Sequence, residues 1–281
     1  MTYREICNQL RRANIDSADW DAALLIEHFC KVEHSRIPLS PDTDYQSPAL
    51  DAAIAKRAAR YPLQYLIGEW HFWRQVYEVS PDCLIPRPDT EPLVEQAVKH
   101  LPQNAHFADL CTGSGCIAIS TLAERPDTSA VALEKYPNTL ALAERNAVRN
   151  GVRNRFTPLL ADVLDANALG NEPCFDAILS NPPYIPTEVL QTLEPEPLAE
   201  PQVALDGGND GLLFYRAILR NFSHLLRPNG FMLFEIGFDQ ADAVTTLARE
   251  AGFTDCRMLK DFGGNDRAVL CKGFSAYTVN A

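Results

Sequence analysis

The chain has no glycine before Gly68, no C-x-x-C pair, and far fewer basic residues than acidic ones across its 281 positions. The longest apolar runs, such as Phe231-Met232-Leu233-Phe234, fall far short of the roughly 20 residues that span a bilayer. The first residues, Met1-Thr2-Tyr3-Arg4-Glu5, lack the basic, apolar and small-residue order of a secretory signal. Eight cysteines are scattered without metal-ligand spacing, which reads as small buried hydrophobes in a reducing compartment rather than a zinc site or a disulfide framework. Formal net charge is −12 and the pI is about 4.9. Affinity for nucleic acid comes largely from Lys and Arg neutralising phosphates, so a chain this acidic is poorly suited to gripping duplex. Two small basic patches, Arg11-Arg12 and Lys56-Arg57-Ala58-Ala59-Arg60, read as solvated helix faces. These absences point to a cytoplasmic protein with neither a membrane nor a stable nucleic-acid partner, expected as a monomer.

What is present divides by texture. Residues 1–62 read as a small helical bundle: Ala22-Ala23-Leu24-Leu25-Ile26 is a strong helical run with Ser17 or Asp19 as its cap, and no β-rich run occurs. From Gln64 to Trp73 the chain is aromatic-rich, and Val76-Tyr77-Glu78-Val79 alternates. Residues 63–92 therefore read as a β-hairpin linker turning near Arg74-Gln75. A helix is expected to begin near Thr90, with Asp89 or Thr90 as cap and Pro92 in its first turn. From 93 to 281 strands and helices alternate. Strands are expected at 106–110, 130–134, 155–160, 175–180 and 231–236, with two more near 254–259 and 268–272. A helix is expected from Gly211 to Leu226, stopped by Pro228-Asn229-Gly230. Such alternation gives an α/β, Rossmann-like, seven-stranded and mostly parallel sheet with helices on both faces.

Two stretches carry chemistry. The first, Asp109-Leu110-Cys111-Thr112-Gly113-Ser114-Gly115, sits at a strand-to-helix turn, where doubly wound sheets bind nucleotides. Glycines allow close backbone approach, and the helix start offers free N–H groups. Glu134, ending the second strand of this sheet, is placed to hold both hydroxyls of a ribose; capping the helix near Tyr136-Pro137 is the other reading. Asp162, after the third strand, adds an acidic position where an adenine amino group would be met. Three acidic strand ends with a Gly-rich turn fit a nucleoside without pyrophosphate, of which S-adenosyl-L-methionine is the common example.

The second stretch is Asn181-Pro182-Pro183-Tyr184, after the strand 175–180. Each proline lacks an N–H and has φ fixed near −65°, so the backbone there is stiff. Such a turn can hold a planar –NH2 group for methylation. The Asn181 side-chain oxygen and the Pro182 carbonyl would accept its two N–H bonds, and the Tyr184 ring would stack on it. Asn181 would also border the cofactor.

Together these two stretches resemble S-adenosylmethionine methyltransferases acting on planar amino groups, a class that includes adenine-N6 and protein-glutamine enzymes. Leu84-Ile85-Pro86-Arg87-Pro88-Asp89-Thr90-Glu91, Tyr65-Leu66-Ile67-Gly68-Glu69, Glu200-Pro201, Ala204-Leu205-Asp206-Gly207-Gly208-Asn209-Asp210-Gly211-Leu212 and Phe234-Glu235-Ile236-Gly237 with Gln240 narrow the choice. They resemble the peptide-chain release factor N(5)-glutamine methyltransferases (PrmC/HemK). The resemblance runs from about Tyr61 to the end. It implies methylation of the Gln in the Gly-Gly-Gln loop of class 1 release factors, a cofactor site at Asp109, Cys111 to Gly115, Glu134, Asp162 and Val163, and a glutamine site at Asn181 to Tyr184. The family usually has Gly where this chain has Cys111, so Cys111 is expected to sit at negative φ. It often has Asp where this chain has Glu134. Glutamine methylation of a large-subunit ribosomal protein and, more distantly, adenine-N6 methylation of nucleic acid are the competing readings. The acidic charge and the short connections weigh against the latter, and the intact Asn181, Tyr184 and Glu134 weigh against a non-enzymatic module.

Two further segments stay open on sequence alone. Asp89, Thr90 and Glu91 either cap a helix or, with Arg87, close over the cofactor and shape the glutamine channel. Glu194, Glu196 and Glu200 form a Pro-interrupted acidic flap that either faces a basic release-factor loop or is simply solvated.

Overall fold

The computed structural model describes residues 1–172, 174–261 and 263–275. They group into two units: Met1–Glu69 with Leu193–Ala199, and Trp70–Thr192 with the described residues from Glu200 onward. No helix among the described residues is long and apolar enough to cross a membrane.

The first unit is helical. Its elements are α1 (Tyr3–Arg12), α2 (Ala18–Cys30), α3 (Pro48–Ala58) and α4 (Leu63–Ile67). Thr2 and Glu5 start α1 with a reciprocal capping box: the Glu5 N–H donates to Thr2 Oγ1 and the Thr2 N–H to Glu5 Oε2, satisfying donors that have no partner within the helix. Ser47 caps α3, with Pro48 in its first turn. Ser17 occupies the cap position of α2 without a side-chain bond, while Asp19 pairs with Arg11. Ile6, Leu10, Leu25, Ile26, Leu50 and Ile54 are buried.

Contrary to the expectation of a solvated patch, Arg57 is only 7% exposed. Its Nε donates to Asp21 Oδ2 at 2.6 Å and its Nη1 to Glu196 Oε1 at 3.0 Å and to the carbonyl of Tyr61 at 3.2 Å. Arg60 pairs with Glu196 at 2.8 Å and with Glu194 at 3.5 Å. The flap carboxylates therefore meet the chain's own arginines. The aromatic stretch after Pro62 also differs from expectation. Its first half is α4, closed by Gly68 at φ 81°.

In the second unit, β1 (Glu69–Phe72) and β2 (Gln75–Glu78) pair as a hairpin. The turn falls at Trp73-Arg74, with Trp73 at φ 55°. Tyr77 packs in the same core as Leu93 and Ile119, so the hairpin belongs to this unit's core. The remaining elements are α5 (Glu91–His100), β3 (His106–Leu110), α6 (Cys116–Glu124), β4 (Ser129–Glu134), α7 (Pro137–Arg149), β5 (Phe156–Leu160), β6 (Phe175–Ser180), α8 (Pro195–Leu198, which groups with the first unit), α9 (Leu213–Phe222), β7 (Leu226–Glu235), α10 (Ala241–Glu250), β8 (Phe253–Lys260) and β9 (Asp266–Phe274).

The strands make a seven-stranded sheet of order β5-β4-β3-β6-β7-β9-β8, parallel except at β9. Successive side chains of a strand point to opposite faces. Phe107, Ala132, Leu179 and Leu233 pack with α5, α6 and α7; Ala108, Leu133, Ile178 and Met232 pack with α9 and α10. The helix expected from Gly211 to Leu226 spans Leu213–Phe222, a 3-10 turn follows over Ser223–Leu225, and Pro228-Asn229-Gly230 lies inside β7 instead of stopping the helix. The register jumps from Phe175↔Leu226 to Ala177↔Phe231 there, and Asn229 takes φ 67°. The three residues thus form an irregularity in the strand.

Breaking a buried ion pair on one side strands the other charge, at a cost of about 3–5 kcal/mol. Arg57→Ala is accordingly expected to destabilise the helical unit by about that much in urea unfolding, leaving Asp21 unpaired. A loss under 1 kcal/mol would mean that the cluster is solvated in solution.

Candidate active site

The chain order places β4 and β5 on one side of β3, and β6 and β7 on the other. The β3/β6 junction is therefore a topological switch point, where the carboxyl ends of parallel strands leave a crevice for ligands. Leu110 of β3 pairs with Leu133 of β4 and with Ser180 of β6. The residues that follow, Cys111, Glu134 and Asn181, meet at one edge. A cleft with about 960 Å³ of empty space, open solvent at its mouth included, lies there.

Cys111, Thr112, Gly113 and Ser114 line it. Cys111 takes φ 58°, against the expected negative value. The turn needs left-handed backbone there, which glycine adopts without strain and cysteine does not. The Thr112 N–H donates to the carbonyl of Leu133 at 3.0 Å, and Asn146 Nδ2 holds the carbonyl of Ser114 at 3.0 Å. Asp109 and Gly115 do not line the cleft. Asp109 is fully buried and accepts from Thr112 Oγ1 at 2.6 Å and the Ala118 N–H at 3.2 Å. It fastens the turn from beneath. Gly115 takes φ 81°, a backbone conformation that residues with a Cβ rarely adopt. Desolvation lifts Asp109 to about 7, against the two hydrogen bonds that favour its ionised form.

Glu134 faces the cleft. Its Oε2 accepts from the Gly113 N–H at 3.1 Å; its Oε1 accepts from Lys135 and Tyr136 N–H at 2.9 and 3.1 Å. These three bonds leave acceptor capacity on the carboxylate, which has about four acceptor sites. Burial raises its pKa despite those three donors. Asp162 and Val163 also line the cleft. Burial alone would raise Asp162, but the Leu164 N–H and Lys135 outweigh it and its pKa is lowered.

Asn181 and Pro183 line the opposite wall; Pro182 and Tyr184 do not. Asn181 Nδ2 donates to Thr90 Oγ1 at 3.2 Å, which leaves Oδ1 as the amide's acceptor end. Thr90 Oγ1 donates in turn to Glu235 Oε2 at 2.6 Å, and the Tyr184 hydroxyl donates to Glu235 Oε1 at 3.3 Å. Gln240 Nε2 donates to the carbonyl of Tyr184 at 2.9 Å. The glycines of 207–211 have a geometric reason. A Cβ on Gly207 would lie 2.7 Å from Tyr184 Cα, and one on Gly211 would lie 2.4 Å from the Tyr184 carbonyl oxygen.

The segment Asp82 to Arg87, with Thr90, forms a wall of the cleft. Thr90 stands at the start of α5 but makes no side-chain cap, and Glu91 accepts from the Trp73 N–H instead. Of the two readings of this segment, the wall describes Arg87 and Thr90. Glu200 is buried and joins it: Oε2 accepts from the Ile85 N–H at 2.9 Å and Oε1 from Arg87. Sequence reasoning missed the parts played by Cys83, Leu84, Thr139, Ala204, Phe214 and Glu235. Only Glu235 carried a local signal, as a carboxylate closing an apolar strand.

Two family descriptions match the chain: PrmC N-terminal domain over residues 2–68, and methyltransferase small domain over 90–194. A release factor glutamine methyltransferase of Caulobacter vibrioides is 39% identical over 94% of this chain and 92% of its own. One of Salmonella typhimurium is 38% identical over 96% and 97%. A solved structure of a release-factor-specific protein-(glutamine-N5) methyltransferase from Alicyclobacillus acidocaldarius is 33% identical, covers 71% of this chain and 100% of itself, and has a TM-score of 0.42.

Gly211→Ala is expected to push the Tyr184 carbonyl and Gln240 aside, lowering turnover at least tenfold while cofactor affinity, read by calorimetry, moves less than threefold. Normal turnover would show that the loop has slack there. Asp109 binds its proton more tightly when folded, so its contribution to stability falls as pH rises between about 4 and 7. Asn cannot titrate. Relative to wild type, Asp109→Asn should therefore gain stability between pH 5 and pH 8, by up to about 1.4 kcal/mol per pH unit. An unchanged difference in urea unfolding would mean that Asp109 is ionised throughout.

Proposed function

The chain belongs to the release factor glutamine methyltransferases, and we propose that its Asn181-Pro182-Pro183-Tyr184 turn is where a release-factor glutamine is held for methylation. The enzyme transfers a methyl group to that glutamine. In our reading the donor is S-adenosyl-L-methionine, the acceptor is the side-chain amide nitrogen of the Gly-Gly-Gln glutamine, and the substrates are class 1 release factors. The carrying observation is that Asn181, held at its donor end by Thr90, borders the same cleft as Glu134 and the Gly113 turn.

The residues present fit such a donor. The Gly113 turn offers a backbone cradle, Glu134 keeps acceptor capacity for ribose hydroxyls, and Val163 beside Asp162 supplies an apolar wall with a polar rim. When bound, the donor supplies an electrophilic methyl carbon on a sulfonium. The protein's part is orientation. An amide nitrogen is a weak nucleophile because its lone pair is delocalised. Asn181 Oδ1 and the Pro182 carbonyl accept its two N–H bonds and favour the nitrogen as it turns tetrahedral and gains positive charge. That lowers the barrier by positioning and electrostatics without a strong base. The Tyr184 hydroxyl is tied to Glu235, which limits how far its ring can turn toward the amide.

The division into a helical bundle over 1–62, a hairpin linker over 63–92 and a methyltransferase domain over 93–281 belongs to the same reading. So does a cytoplasmic monomer that binds no nucleic acid stably. The net charge of −12 supports the last point.

Radiolabelled S-adenosylmethionine offered with a release factor, the large-subunit ribosomal protein and duplex DNA is expected to label only the release factor, at the glutamine of Gly-Gly-Gln. Label on DNA and on neither protein would overturn the reading. Asn181→Ala should lower turnover about a hundredfold and leave cofactor affinity within threefold. A large loss of affinity would instead place Asn181 in cofactor binding.

A further inference from the structure

Glu235 ends β7 and is 2% exposed. Its strand neighbours, Phe231 to Phe234, are apolar and buried. A carboxylate in such a place costs several kcal/mol unless it is well bonded. It is bonded twice, and both partners lead to the Asn181 turn. Thr90 Oγ1 donates to one oxygen at 2.6 Å, and Tyr184 Oη donates to the other at 3.3 Å. Thr90 Oγ1 at the same time accepts from Asn181 Nδ2 at 3.2 Å. A threonine hydroxyl has one proton. Because Thr90 gives that proton to Glu235, it can only accept from Asn181, and this determines which end of the Asn181 amide turns toward Thr90.

We propose that Glu235 is a positioning residue for methyl transfer: through Thr90 it sets the amide orientation of Asn181, and through its other oxygen it fixes the hydroxyl of Tyr184. The proposal rests on the assignment of Asn181 as the group that holds the glutamine. If Thr90 gave its proton elsewhere it would no longer hold Asn181 in one sense. An Asn181 amide rotated by half a turn would offer N–H groups to the –NH2 of the substrate, donor against donor.

The ionised form is the one that accepts two hydroxyl protons. A protonated Glu235 carries a hydrogen on one oxygen, so the hydroxyl facing that oxygen, Thr90 or Tyr184, has to accept there instead of donating. The groups facing it are Thr90 and Asp89 before α5, Arg267 on β9, Tyr184, Tyr215 on α9, and Cys116 at the start of α6. Tyr215 Oη donates to the backbone carbonyl of Glu235 at 2.8 Å. Desolvation raises the side-chain carboxyl to about 7, against Thr90, Arg267 and Tyr184, which favour its charge. Arg267 is shared with Asp89 at 3.4 Å and Asp261 at 3.2 Å. Turnover should therefore fall as pH drops through about 7. Asp109 titrates in the same range, so the variant must separate the two.

The test measures methylation of a release factor by the enzyme and five variants, with cofactor affinity taken by calorimetry. Glu235→Gln is expected to lower kcat at least tenfold, to keep cofactor affinity within twofold, and to lose most of the kcat dependence on pH between 6 and 8. Thr90→Ser keeps the hydroxyl and should retain at least a third of wild-type kcat. Thr90→Val, of the same shape, should match Glu235→Gln. The double variant Thr90→Val/Glu235→Gln should be no slower than the worse single one, because both break one chain. Multiplying losses, a wild-type rate in Thr90→Val, or an unchanged pH profile in Glu235→Gln would each overturn the inference. The Thr90 pair decides the matter even if Glu235→Gln fails to fold. Asn181→Ala measured alongside separates the two ideas. If it is inactive while Glu235→Gln and Thr90→Val are normal, only the positioning role falls. If it is fully active, the assignment of Asn181 falls and the positioning role falls with it.

Discussion

Leu110 and Ser180 lie side by side because β3 and β6 pair in parallel through the middle of the sheet. Ser180 Oγ adds a bond to the carbonyl of Leu110 at 2.7 Å. The chemistry depends on that register. The next residue on one strand opens the Cys111 turn, and the next on the other is Asn181. A slip of one position would exchange the faces of every side chain in the strand, turning Asp109 away from Thr112 and Ala118. The two stretches that are far apart in sequence face one cleft only because their strands end level.

Carboxylates at this sheet edge show how one residue type takes different tasks from its surroundings. Asp109 lies wholly beneath the turn, where desolvation outweighs two hydrogen bonds and lifts its pKa to about 7. Glu134 has three amide donors and lines the cleft, and burial still raises its pKa. Asp162 sits farther out, where Leu164 and Lys135 overcome the smaller burial cost. Burial and donor count decide among them. Their order along the chain does not.

What could be read from sequence was local. The strand and helix alternation, the Gly-rich turn and the stiff Asn181 turn depend on neighbours in the chain, and each carries its own pattern. The misreadings came from contacts across long separations. Arg57 looks like part of a solvated patch until Asp21 and Glu196 are brought to it. Glu196 and Glu200 look like a loose acidic flap until Arg57, Arg60, Ile85 and Arg87 take them up. Thr90, open on sequence between helix cap and cleft wall, makes no side-chain cap and donates a hydrogen bond to Glu235. Cys111 was misjudged for a different reason: residue identity suggested negative φ, and the turn's closure onto Leu133 imposed a positive one. Gln64 to Ile67 was misjudged because a short aromatic run has no clear period.

The Asn181 turn is held from several sides. Two prolines stiffen its backbone. Gly207 and Gly211 let a second loop come against Tyr184 closely enough that a methyl group would not fit. Gln240 holds the Tyr184 carbonyl, and Thr90 with Glu235 holds the side chains. Such over-determination suits a reaction whose nucleophile is a nearly non-basic amide. A base would help little before the methyl group arrives, because the amide proton is barely acidic. Alignment of the nitrogen lone pair is the larger lever, since correct orientation can be worth several kcal/mol of barrier, up to about 7–11. The stiffness is set before substrate arrives, so the ordering cost is met during folding. This explains why residues far from the reacting atoms, in the loop 207–211 and at the end of β7, are as constrained as those lining the cleft.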